Sequence, residues 1–94
     1  MTKTYLEITM KIAPADRGKA GEVYARYKPA FLAFRGAQSK DLLLREEDVQ
    51  VLHGFDSKAS AEAYLASPLF GEDVVSALRP YLMVAPEIRV YERQ

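Results

Sequence analysis

An α+β fold, with two helices on one face of a four-stranded antiparallel sheet, is the architecture this sequence predicts. Three patterns predict it. Tyr5 to Ile12 alternates apolar and polar residues, Ala20 to Phe34 carries apolar residues three and four apart, and two strand-like runs, Lys40–Arg45 and Val49–Phe55, are separated only by Glu46-Glu47-Asp48. The order along the chain is then β-α-β-β-α-β, with extra helix before the last strand.

In the first strand Leu6, Ile8, Met10 and Ile12 fall on one side and Tyr5, Glu7, Thr9 and Lys11 on the other, the period of two expected of a half-buried ribbon. Ala13-Pro14-Ala15-Asp16 breaks the alternation. Ala20, Val23, Tyr24, Tyr27, Phe31 and Phe34 then draw one face of a helix placed at about residues 16 to 34. Pro29 falls inside it, where it removes a backbone donor and clashes with the preceding turn, so a kink or restart is expected near Tyr27-Lys28. Gly36 is the expected C-terminal cap, because glycine enters the left-handed region without a Cβ clash.

The next two runs read as an antiparallel hairpin, since a three-residue polar link is too short for a crossover. Leu42, Leu43 and Leu44 are consecutive, and Leu52 faces away from Val49, Val51, His53 and Phe55, so both faces of the hairpin carry apolar residues. Ser57 is the expected N-cap of the following helix, which alanines at 59, 61, 63 and 66 favour and allow to lie close to a sheet. Ser67-Pro68 ends it, and Val74/Val75, Leu78 and Leu82 mark a shorter helical piece interrupted by Pro80. Glu87 to Glu92 alternates again, with Ile88 and Val90 opposite Arg89 and Tyr91. No repeat, linker or low-complexity segment divides the chain, so residues 1–94 are expected to form one domain.

That element order is the ferredoxin-like, split βαβ pattern, in which both helices cover the same sheet face. The other face is left bare. The leucines of the hairpin should give it a contiguous apolar patch, and a two-fold homodimer packed sheet to sheet would bury that patch.

Composition excludes several function classes. The 13 basic and 13 acidic side chains cancel and are scattered, so no electrostatic footprint for nucleic acid or an anionic membrane is present. Without cysteine there is no disulfide framework, thiolate nucleophile or zinc knuckle, which fits a reducing compartment, with the cytoplasm as the default. The N-terminus lacks a signal-peptide run, and no stretch reaches membrane-spanning length. One histidine and scattered carboxylates give no metal-ligand spacing, so no metal is expected. The glycines form no phosphate-binding loop, and no serine stands in a nucleophile elbow.

The chain resembles the dimeric α/β-barrel superfamily, and within it the antibiotic-biosynthesis-monooxygenase-like proteins. The resemblance spans nearly the whole element order. It is most specific at Gly54-Phe55-Asp56-Ser57 through Ala63-Tyr64-Leu65-Ala66-Ser67-Pro68-Leu69-Phe70, a third strand ending in an aromatic residue, then Asp-Ser, an Ala-rich helix and Ser-x-Leu-Phe. It implies a homodimer and, among several roles, cofactor-independent oxidation of aromatic or quinol-type molecules. Isomerase chemistry of the muconolactone type and a non-catalytic binding or structural dimer are the alternatives. Family oxygenases place tryptophan where this chain has Phe55. Haem-degrading members carry a first-strand asparagine and a histidine on the helix after the third strand, and neither stands here, which argues against that activity.

His53 is the one side chain that titrates near neutral pH, which makes it the candidate general base for a phenolic or quinolic proton. Its structural alternative is a hydrogen-bonded histidine at a sheet face or dimer seam. Tyr24, Tyr27, Phe55 and Tyr64 are the candidate lining of an aromatic-substrate pocket between helices and sheet, with ordinary core packing as the alternative. Glu7, Thr9, Arg89 and Tyr91 lie on the more polar strand faces, as cross-strand pairs or as the wall of a cavity between two sheets.

Overall fold

The computed structural model describes residues 1–94. Its elements are β1 (Thr4–Met10), α1 (Arg17–Leu32), β2 (Ala37–Leu44), β3 (Val49–Phe55), α2 (Lys58–Leu65), α3 (Val75–Leu78) and β4 (Glu87–Glu92). The sheet is antiparallel throughout, in the order β2-β3-β1-β4. The ferredoxin-like α+β fold expected from the sequence is the fold observed.

Alternation places Thr4, Leu6, Ile8 and Met10 of β1 beside Phe55, His53, Val51 and Val49 of β3, and all of them are buried under the helices. This shared face is the core. On α1, Ala20, Val23 and Phe31 meet it, and on α2, Ala61 and Tyr64 do so. Only Ala61 of the three α2 alanines is buried, and its small side chain lets the helix approach the sheet. Ser57 caps α2 as expected, its hydroxyl accepting from the Ser60 N–H.

Several local expectations are corrected. The helix α1 runs unbroken through Pro29 to Leu32, because Pro29 lies on the exposed side, where water can replace the missing backbone partner. Gly36 does not cap it directly; Ala33 occupies that position. Gly36 turns the chain into β2 at φ +88°, and its carbonyl accepts from the Asp56 N–H. The strand β2 begins earlier than expected, at Ala37, with a register irregularity between Ala37 and Ser39. After α2, the Ser67 hydroxyl donates to the Tyr64 carbonyl and accepts from the Phe70 N–H. A π-helical turn, Leu69–Val74, then leads into the single turn of α3.

The bare face is the largest correction. Leu42 and Leu44 share the helix-side face with Val51 and Val49, so Leu43 and Leu52 are the only leucines of the hairpin strands on the open side. Register aligns Leu43, Leu52, Tyr5 and Tyr91 as a diagonal across the four strands, among Glu7, Thr9, Asp41, Gln50, Glu87 and Arg89. The result is a narrow apolar stripe in a polar field rather than a contiguous greasy surface. Exposed apolar side chains gather instead near the last strand, where Met83, Val84, Ile88 and Val90 lie beyond the cover of the helices.

Candidate functional site

The hairpin turn that fixes β2 against β3 is clamped from two sides. Arg45 grips Asp48 with two charge-assisted hydrogen bonds of 2.7 and 2.8 Å, and Arg17 reaches from α1 to the Arg45 and Glu46 carbonyls at 2.6 and 2.8 Å. The Arg45 guanidinium holds the Asp48 carboxyl down to about 2. With this register set, Lys40 of β2 stands directly opposite His53 of β3, both on the helix side.

His53 is buried among rings. Its centroid lies 5.1 Å from that of Phe31 and 5.6 Å from that of Tyr64, with Phe55 stacked at 6.5 Å. Nδ1 is 2.9 Å from the Leu6 carbonyl oxygen, which can only accept, so the hydrogen sits on Nδ1 and Nε2 keeps its lone pair. Burial lowers the His53 pKa to about 4, against the opposing pull of the Leu6 carbonyl and with help from the Lys40 charge. The ring is therefore neutral at pH 7. A base this weak is poorly matched to a phenol of pKa about 10, though it can accept a hydrogen bond.

Between this face and the helices lies a cavity of about 40 Å³. Its wall is apolar except for Tyr24, Lys40, His53 and Tyr64, and Lys40 is its only charged side chain. The Tyr64 hydroxyl is fully buried without a hydrogen-bond partner, and burial pushes its pKa up to about 12. Such an orphaned group costs about 1–3 kcal/mol of desolvation, which is one reason to ask what it is for. Tyr24 donates from its hydroxyl to the Lys40 carbonyl at 2.6 Å and so ties α1 to β2.

Of the candidate residues, His53, Tyr24 and Tyr64 meet at the cavity. Phe55 is packed behind His53 against Phe31 and Tyr64 and does not reach the wall. Tyr27 lies outside, partly exposed, with the Arg26 guanidinium 5.9 Å from its ring. Sequence reasoning missed Lys40. Its strand position one residue before Asp41 and two before Leu42 is the signal that could have found it, because alternation puts Lys40 and Leu42 on the same side. No three His, Asp or Glu side chains gather into a set that could hold a metal.

No family model matches the chain, and no curated protein matches it in sequence. Solved structures do match in shape. A conserved protein from Methanosarcina mazei superposes with a TM-score of 0.85 at 15% identity, covering 100% of this chain and 95% of that one. A Streptomyces coelicolor monooxygenase, solved in complex with nanaomycin D, superposes at 0.86 with 18% identity over 99% of this chain and 88% of that one. A Bordetella bronchiseptica protein assigned as an antibiotic biosynthesis monooxygenase gives 0.82 at 13% identity, over 98% of both chains. The chain shares the ferredoxin-like fold of these structures. In this chain the sheet face, α1, α2 and the segment after α2 line the cavity described above. No helix is long and apolar enough to cross a membrane.

Proposed function

We infer that the protein binds a small aromatic or quinol-type molecule between sheet and helices, and that it acts on it as a cofactor-independent monooxygenase. The observation that carries this reading is that His53, whose Nε2 keeps its lone pair, and Tyr64, whose hydroxyl is orphaned, line one cavity whose wall is apolar but for these two, Tyr24 and Lys40. The nanaomycin D complex of a protein with the same fold adds support for small-molecule binding. In this reading the electron-rich substrate itself reacts with oxygen. His53 Nε2 accepts a hydrogen bond from its O–H, Tyr64 donates one, and the surrounding rings exclude water.

A cavity of about 40 Å³ holds a water molecule rather than a ring system, so binding requires the wall to open. One side of that wall is Phe70, Val74, Val75, Leu78 and Leu82, from the segment that includes the π-helical turn. Displacing Phe70 to Leu78 enlarges the cavity while Leu82 stays bridged to Ile12 just beyond the end of β1. The same small volume favours the second reading, a non-catalytic binding or structural protein with a filled interior.

The assembly in either reading is a homodimer. A second copy covers the open-face diagonal of Leu43, Leu52, Tyr5 and Tyr91. Oxygen uptake with a dihydroxynaphthalene or an anthrone separates the two functions. Uptake well above autoxidation supports the monooxygenase, whereas tight binding of the same compounds with no uptake leaves a binding protein.

A further inference from the structure

We propose that Lys40 makes this cavity selective for aromatic molecules bearing an ionisable oxygen, which it binds as phenolate or enolate with its ammonium as counter-ion. The proposal rests on the small-molecule reading above and adds the charge state of the ligand and the group that holds it. The step is a proton transfer alone: the O–H bond of the phenol breaks, its proton forms an N–H bond at Nζ where the amine is neutral or leaves to water where Nζ is already the ammonium, and nothing is oxidised or reduced.

The geometry points there for three reasons. Lys40 is only 4% exposed, yet its Nζ makes no ion pair or hydrogen bond. The rings of Tyr24 and Phe31, at 5.5 and 5.4 Å from Nζ, supply cation–π attraction and no full negative charge. A buried ammonium without a carboxylate is costly, so the site favours either loss of its proton or arrival of an anion. Second, the groups that face it offer no competing anion. Lys28 lies over the same Tyr24 ring at 5.4 Å from α1, His53 is neutral on β3, and Tyr64 of α2 is held in its phenol form. Asp41 points to the opposite face of the sheet. Third, the donors and acceptors around a bound oxygen are complementary: Nζ–H and the orphaned Tyr64 O–H can donate to a phenolate, while Nε2 of His53 can hold the neutral phenol beforehand.

Burial and Lys28 lower the Lys40 pKa to about 8, which brings the amine far closer than His53 to the range of phenols and enols. The ammonium and the bound phenolate then form an ion pair inside a largely apolar wall, where it is least screened by solvent.

The test uses 4-nitrophenol, whose phenol and phenolate absorb differently, and nitrobenzene, which has the same ring without the acidic oxygen. At a pH below the dye's own pKa, the protein should bind 4-nitrophenol about tenfold or more tightly than nitrobenzene, a difference of about 1.4 kcal/mol, and with the phenolate spectrum. Lys40→Met should bind the two compounds alike and leave the dye in its phenol form, and Lys40→Arg should keep the preference for the phenolate. Thermal melting of each variant checks that it is folded. Equal binding of both compounds by the parent protein, with an unshifted dye spectrum, overturns the role of Lys40 while the aromatic pocket stands. Failure to bind either compound removes the pocket reading and the proposal together.

Discussion

Lys40 and His53 face each other across the β2–β3 ladder, a lysine opposite an imidazole in a buried layer that contains no carboxylate. The Lys40 charge disfavours protonation of His53, the Lys28 charge disfavours that of Lys40, and burial disfavours both. At pH 7 His53 is therefore neutral while Lys40 still carries its proton, and acid or alkali should reveal each group in stability.

For His53 the folded pKa, about 4, lies below the ordinary 6.5. Between these values the unfolded chain binds the proton more readily, so folding stability falls as pH drops from 6.5 towards 4. The loss should approach about 3 kcal/mol, at about 1.4 kcal/mol per pKa unit. Urea unfolding at successive pH values should show this slope, and His53→Leu should flatten it. The Asp48 carboxyl, held at about 2 against an ordinary 3.8, loses its contribution only at lower pH and leaves the window clear.

Lys40 gives the alkaline counterpart. Its folded pKa of about 8 lies below 10.5, so the unfolded state binds more protons between them and stability rises as pH increases from 8 towards 10. Lys40→Met should remove that rise and, at pH 7, stabilise the protein by about 1–2 kcal/mol through loss of an unpaired buried charge. Tyr64, which burial holds at about 12 against an ordinary 10, opposes the trend only above pH 10.

Tyr64→Phe separates architecture from function. Removing a buried hydroxyl that has no partner should leave stability unchanged or raise it by about 1 kcal/mol. If the hydroxyl serves a ligand, the same variant should weaken 4-nitrophenol binding severalfold. Calorimetric melting and a binding titration on one sample measure both.

Two glycines should respond in opposite directions. Gly36→Ala meets a φ of +88° and would set a Cβ 2.6 Å from an Asp56 carboxylate oxygen and closer still to Ser60, so about 1–3 kcal/mol should be lost. Gly21 lies within α1 with open space around its missing Cβ, and Gly21→Ala should gain up to about 1 kcal/mol. Chemical denaturation midpoints check both.

Leu52→Glu places a charge in the middle of the open-face diagonal, beside Asp41 of β2 and Glu7 of β1. It should weaken self-association by about tenfold or more while leaving the helix-side core intact. Sedimentation velocity at micromolar concentration decides the matter: a parent protein that is already monomeric would remove the homodimer.

Much of the fold was legible because burial is one-sided. The alternation of Leu6, Ile8 and Met10, and of Val49, Val51 and Phe55, marks strand faces, and the spacing of Ala20, Val23 and Phe31 marks the helix that covers them. The candidate site was legible only in part. His53, Tyr24 and Tyr64 were recognisable by chemical type, but Tyr27 shares the helical spacing of Tyr24 and still falls outside, because the cavity spans a narrow arc of α1. Pro29 was misleading because local sterics do not say whether the affected backbone faces water.

Periodicity and turn chemistry alone determined the order of elements, the inward faces of the strands and the cap at Ser57, since these depend on neighbours within a few residues. Tertiary structure decided what those faces meet. It fixed the register that sets Lys40 against His53, buried Tyr64 without a partner, and scattered the expected apolar underside into a narrow diagonal. Each of these depends on contacts between residues distant along the chain, where hydrophobicity favours burial but does not choose the partner.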